Sequence, residues 1–198
     1  MVLLMTVIGF LSGSVMYSYL ISKKVAHVDL RSVGDGNPGT INAFQNAGII
    51  PGLISMILDF LKGFIPVYVA YWHLDIREVN ILPIAIAPVL GHAFSPFLKG
   101  KGGKAVAVTF GIWSGISLWI LPTFLGLCMI VFVWVIVVNP DVWKTNFSMT
   151  LMLIVIILYY RNWYFPVLWC GNMAVLQIKH WKELKRPMTI GRSGKGSR

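Results

Sequence analysis

Charge is scarce in this chain. Only 12% of its residues are Asp, Glu, Lys or Arg, whereas 57% are hydrophobic and the mean hydropathy is +0.73. So few polar groups cannot cover a water-soluble globule of 198 residues, which excludes the soluble classes and leaves an integral membrane protein. Acidic residues are scarcer still, seven against 17 Lys and Arg, for a net charge of +10. The cations lie in short segments between apolar runs instead of on one soluble face, so nucleic acid is not an expected partner. There are two cysteines, Cys128 and Cys170, each inside an apolar run and without metal spacing; they read as packing residues, and neither metal nor other cofactor is expected. Internal repeats, low-complexity tracts and a separate soluble domain are all missing. The first apolar stretch has no positive segment before it, and Lys23 and Lys24 follow it, which fits a retained helix better than a cleaved signal.

What is present in quantity is apolar length. A span needs about 20 apolar residues to cross roughly 30 Å of hydrocarbon. Residues 2–21, 49–71 and 79–98 qualify. The stretch from Ala105 to Val138 would make one helix about 51 Å long at about 1.5 Å per residue, too long for a single crossing. Pro122, with Gly115 and Ser117 before it, divides it into 105–117 and 121–138. Residues 147–178 divide likewise at Arg161-Asn162 into 147–160 and 163–178, with Pro166 in the first turn of the second piece. The expected fold is all-α, a single polytopic domain over 1–198 with about seven transmembrane helices and a basic tail over 179–198. Charge bias orients it. With the N-terminus outside, the loop bearing Lys23, Lys24 and Arg31, the segment Lys99 to Lys104, Lys144 and the tail cations through Arg192, Lys195 and Arg198 are all cytoplasmic.

Lys99-Gly100-Lys101-Gly102-Gly103-Lys104 sets three cations among three glycines between two apolar runs. The lysines alone satisfy charge bias, but glycines interleaved with them allow positive φ and close backbone approach, which makes an anion-binding concavity. The apolar run from Ala105 places Gly103 and Lys104 at an expected helix N-terminus, where unpaired N–H groups also favour anions. The Walker spacing fails, because Lys104 is followed by Ala105, which has no hydroxyl for Mg²⁺. In the first loop Asn37 fits an N-cap, Pro38 the first helical position and Gly48 a stop, predicting a short helix over about 38–47.

Asp59 and Lys62 fall one turn apart within the second span. An isolated Lys at mid-membrane costs about 2.5–3.5 kcal/mol, so Lys62 either neutralises Asp59 or lines an anion cavity. His92 stands just before the glycine-lysine segment, either as a packed residue or as part of its site. Near the C-terminal end of the last span, Trp181 fits an interface anchor and Glu183 can pair with Lys179.

Together these stretches resemble the acyl-phosphate-dependent glycerol-3-phosphate acyltransferases, the PlsY family of bacterial membranes. The resemblance runs over Gly34-x-Gly36-Asn37-x-Gly39-x-x-Asn42, Asp59-x-x-Lys62-Gly63, Gly91-His92-x-Phe94 and Lys101-Gly102-Gly103-Lys104-x-Val106-Ala107. It implies transfer of a fatty acyl group from acyl phosphate to glycerol 3-phosphate, forming lysophosphatidate for phospholipid synthesis at the cytoplasmic side of the plasma membrane. It implies membrane lipids as surroundings and no coenzyme A or metal. On it, His180, Asn37 and Asn42 are the candidate catalytic residues. Lys101, Gly102, Gly103, Lys104 and Lys62 are candidates for binding substrate phosphate, and His92, Asp59, Asp35 and Gln45 for further site roles.

The chain departs from the family at several positions. Asp35 stands where the family has serine, Ile41 where it has threonine and Gln45 where it has arginine. Ala105 and Val108 replace a glycine and a threonine. His180 matches, but Glu183 replaces an asparagine, and Ser193 is nearest to a missing acid. No Ser or Cys nucleophile constellation is visible, which favours direct transfer over an acyl-enzyme. Two alternatives stay open: a non-catalytic or altered-substrate paralogue that binds a phosphate ligand at the cytoplasmic face, and a transporter of organic phosphate, which lacks the expected repeat halves.

Overall fold

The computed structural model describes residues 1–192. Ser193, Lys195 and Arg198, together with the side chain of Arg192, lie outside the described residues. The contacts group into two compact units, Met1–Ile116 and the chain from Ser117 onward, where the sequence reading had a single domain.

The first unit opens with α1 (Val2–Ser14) and α2 (Tyr17–Val25), one apolar stretch interrupted at Val15, whose backbone is extended. The interruption frees carbonyls that a continuous helix would use internally. Ser14 O accepts Ser95 Oγ at 2.6 Å, and Val15 O accepts Lys62 Nζ at 2.6 Å. Next comes α3 (Thr40–Asn46), capped by Gly39; it starts later than Asn37 and Pro38 predict. Then follow α4 (Ile49–Tyr68), ending in a π turn over Val69–His73, α5 (Ile81–Ala93) and α6 (Val106–Ser117). Small residues bring the backbones together, as expected between helices in lipid. A Cβ on Gly13 would overlap the Pro88 backbone of α5, and one on Gly63 would come within 2.8 Å of Val108 O in α6.

In the second unit α7 (Ile120–Ile130) runs into a π turn over Val131–Val135. The helix expected to reach Val138 stops there. Ile136–Asn139 instead forms β1, which pairs antiparallel with β2 (Thr189–Arg192), Val137 opposite Gly191. The run is β-branched, and Pro140 biases the residue before it toward extended backbone, so the strand departs from the all-α expectation for local reasons. After Pro140 come α8 (Asp141–Val155), α9 (Tyr164–Lys179) and α10 (Trp181–Leu184). Asp141 and Lys144 pair at 2.6 Å in the first turn of α8, which begins earlier than residue 147. Between α8 and α9, Arg161 is left-handed and Asn162 Oδ1 accepts the Phe165 N–H at 3.0 Å. Among the described residues, four stretches are long and apolar enough to cross a membrane: Val2–Val25, Ile49–His73, Glu78–Leu98 and Asp141–Tyr160. Val106–Ser117 and Ile120–Val135 are shorter apolar helices.

Candidate phosphate-binding site

The first wall of the site is the loop before α3. Gly34 and Gly36 adopt φ of +59° and +70°, which fold the loop back on itself. Asn42, 3% exposed on α3, holds it there. Its amide donates to Leu30 O at 2.8 Å, Val33 O at 3.1 Å and Asn37 O at 2.9 Å, while its Oδ1 accepts Asn46 Nδ2 at 2.7 Å. With donors and acceptor engaged, Asn42 shapes the loop. Asn37 is half-buried on that loop, and its Oδ1 has no hydrogen-bond partner among the described residues. Arg31 is held by Asp29 at 3.1 Å and by the Tyr19 hydroxyl at 2.8 Å. The Arg31 side-chain hydrogen bond holds the Asp29 carboxyl below the usual carboxylate range.

The second wall is the glycine-lysine segment. Lys99 and Gly100 take positive φ, and Ala105 does so immediately before α6. Gly102 and Gly103 do not, so left-handed backbone does not explain them; both lie against His92. A Cβ on Gly102 would overlap the His92 carbonyl, and one on Gly103 would overlap Nε2 of the buried ring. Gly103 also donates its N–H to His92 O at 3.1 Å, which removes that N–H from the anion-binding set read in the sequence. The Gly102 N–H has no acceptor among the described residues.

Beneath both walls Asp59 is fully buried. Its Oδ1 meets Lys62 Nζ at 2.7 Å and faces His92 Nδ1 at 4.0 Å; its Oδ2 accepts hydrogen bonds from Ser18 on α2 and, at 3.1 Å, from Thr40 on α3. One carboxylate thus ties α2 and α3 to α4 and faces the histidine that supports the glycine-lysine segment. Lys62 is spent here. Its side chain is 1% exposed between Asp59 and Val15 O, inside the helices, and it does not line the cleft.

Between the walls an open cleft of about 430 Å³ is lined by Asp29, Arg31, Ser32, Gly36 and Lys101. Lys104 stands at the same segment and pairs with Asp35 Oδ2 at 2.8 Å, while Asp35 Oδ1 accepts the Asn37 N–H at 3.0 Å. Burial pushes the Asp35 carboxyl up, but the Lys104 hydrogen bond, the Asn37 N–H and the Lys104 charge outweigh it and leave it below its ordinary range. Gln45 is exposed near the end of α3. In the second unit His180 is buried, with Nδ1 2.8 Å from Leu176 O. A carbonyl only accepts, so Nδ1 carries the proton in the neutral ring and Nε2 is its basic nitrogen.

The model of a protein family described as glycerol-3-phosphate acyltransferase matches residues 3–189. The chain belongs to the glycerol-3-phosphate acyltransferase family. Glycerol-3-phosphate acyltransferase 1 of Thermotoga maritima is 46% identical over 114 residues, 57% of this chain and 56% of that protein. The chain therefore spans little more than half the length of that relative. Glycerol-3-phosphate acyltransferase 2 of Lactobacillus johnsonii is 30% identical over 185 residues, 93% of this chain and 83% of its own. Among solved structures, PlsY (YgiH), an integral membrane glycerol 3-phosphate acyltransferase, superposes in its glycerol 3-phosphate form with a TM-score of 0.84 at 27% identity. The match covers 93% of this chain and 90% of that one. Its lysophosphatidic acid form gives 0.83 at 25% identity with the same coverage.

This member of the glycerol-3-phosphate acyltransferase family is thus a predominantly helical membrane protein. Its walls also contain residues that sequence reasoning passed over. Arg31 counted only as a topogenic charge, yet it lines the cleft. Ser18 and Thr40 carried no motif signal of their own. The available hint was the buried Asp59, whose second oxygen needed donors from somewhere.

Proposed function

We propose that this protein is a membrane acyltransferase that moves a fatty acyl group from acyl phosphate to glycerol 3-phosphate, releasing lysophosphatidate and inorganic phosphate. The observation that carries the reading is the cleft, in which Arg31 and Lys101 from two separately braced loops face one space beside Lys104, within a family match covering nearly the whole chain. A glycerol hydroxyl oxygen bonds to the acyl carbonyl carbon, the bond from that carbon to the phosphate oxygen breaks, and the hydroxyl proton ends on the released inorganic phosphate. Holding the reacting atoms about 3–3.5 Å apart supplies much of the rate, and cations stabilise the departing phosphate. In this reading Lys101, Lys104 and the Gly102 N–H hold phosphate, Gly103 and His92 position the segment, and Asn42 and Asp59 brace the loops. Asn37 offers a polar contact. Lys62 acts structurally through Asp59, and His180, in the second unit, keeps the catalytic candidacy that the family resemblance gives it.

The proposed topology keeps about seven spans, the N-terminus outside, and the site at the cytoplasmic face of the plasma membrane. One observation favours the alternative of a phosphate-binding paralogue with altered or no turnover: Asp35 places a carboxylate on Lys104. The test is lysophosphatidate formation by the purified full chain with acyl phosphate and, separately, acyl coenzyme A. Product from acyl phosphate alone supports the proposal. Product only from the thioester overturns the donor, and no product with retained phosphate binding establishes the paralogue.

A further inference from the structure

We infer that Asp35 is a built-in anion that competes with substrate phosphate for Lys104 and so sets the affinity of the cleft for phosphate monoesters. The inference rests on the reading that Lys104 binds phosphate. Asp35 and Lys104 are 69 positions apart, on the two walls of the site, and their charged atoms meet at 2.8 Å. The carboxylate is aimed. Positive φ at Gly34 and Gly36 folds the loop on either side of it, and its other oxygen is fixed by the Asn37 N–H, so Oδ2 projects toward the lysine. Both partners reach solvent, with side-chain exposures of 50% for Asp35 and 25% for Lys104, so an incoming anion can reach the pair.

The magnitudes favour a latch that opens. Exposed pairs contribute about 0.2–1 kcal/mol, a competition factor of about 1.4- to 5-fold. A phosphate that replaces the carboxylate brings charge-assisted bonds from Lys104 and its neighbours, each stronger than the pair it displaces. Asp35 is thus a counter-anion already placed on Lys104, and displacing it subtracts a small term from phosphate binding. Asp35 also remains close after displacement and repels a dianion, which adds to the same effect.

The test uses the full chain in detergent and measures binding of inorganic phosphate and glycerol 3-phosphate by calorimetry, so it does not depend on turnover. Asp35→Asn removes the charge and keeps an oxygen for the Asn37 N–H. It is expected to tighten both ligands by about 2- to 5-fold, and Asp35→Ser is expected to do the same. In a Lys104→Met background, where wild-type affinity is already reduced, Asp35→Asn is expected to gain less than in wild type. Unchanged or weaker binding in Asp35→Asn, with Lys104→Met still impaired, overturns the inference and leaves the phosphate reading intact. Wild-type affinity in Lys104→Met overturns both.

Discussion

Replacing Asp59 by Asn tests the brace beneath the site. The carboxylate is fully buried and Lys62 is 1% exposed, so neither group can turn to water. Asn keeps the shape and an acceptor for Ser18 and Thr40, but it strands the ammonium with Val15 O as its other hydrogen-bond partner. Removing one member of a buried pair costs about 3–5 kcal/mol, because the remaining charge stays desolvated. At about 2–4 °C per kcal/mol for a chain of this size, the midpoint of thermal unfolding should fall by about 6–20 °C. Removing both charges leaves no stranded ion, so Asp59→Asn with Lys62→Met should recover most of that loss. Thermal unfolding in one detergent, with wild type, both single variants and the double variant, closes the cycle. A single variant within about 1 kcal/mol of wild type, or a double variant as unstable as the sum of the singles, refutes the brace.

Three further outcomes are expected. Gly103→Ala drives a Cβ into the buried His92 ring, and overpacking of about 1–3 kcal/mol should weaken glycerol 3-phosphate binding by roughly 5- to 150-fold. Gly191→Ala, whose Cβ meets no atom within 4 Å at a φ outside the left-handed region, should leave binding near wild type, and equal losses in calorimetry would discount the His92 contact. The second outcome concerns topology: in intact cells a cysteine at Asn80 should react with an impermeant thiol reagent and one at Met188 should not, and the reverse pattern inverts the orientation. The third concerns pH. The folded pKa of Asp35 is depressed, so the stability from its pair with Lys104 is fully present above the ordinary carboxylate value of about 3.9 and is lost only as pH falls through the lowered folded value. The affinity ratio of Asp35→Asn to wild type should therefore stay flat between about pH 7.5 and 8.5, above the second phosphate pKa of about 6, where the ligand stays a dianion. A ratio that changes several-fold across that window would show that another group controls the latch.

Membrane residence, the helical segments and the glycine-lysine segment were legible in the sequence because each rests on local rules. Apolar length sets a span, proline and polar turns divide the long runs, and cations among glycines single out a segment for the proposed phosphate contact. What those rules cannot reach is which distant groups share a hydrogen bond. Asp59 finds Ser18 and Thr40 at separations of 41 and 19 residues, and Lys104 finds Asp35 at 69. Sequence spacing gave Lys62 two possible duties; only the break at Val15, which frees a carbonyl beside Asp59, assigns it to the brace. The glycines at 102 and 103 looked conformational, but they are small because His92 occupies the space a side chain would need. The β1–β2 pair likewise depends on a partner strand far along the chain. Periodicity reports which face of a segment is apolar, whereas the partner of a buried polar atom depends on how separate segments pack, and only the tertiary structure decides that.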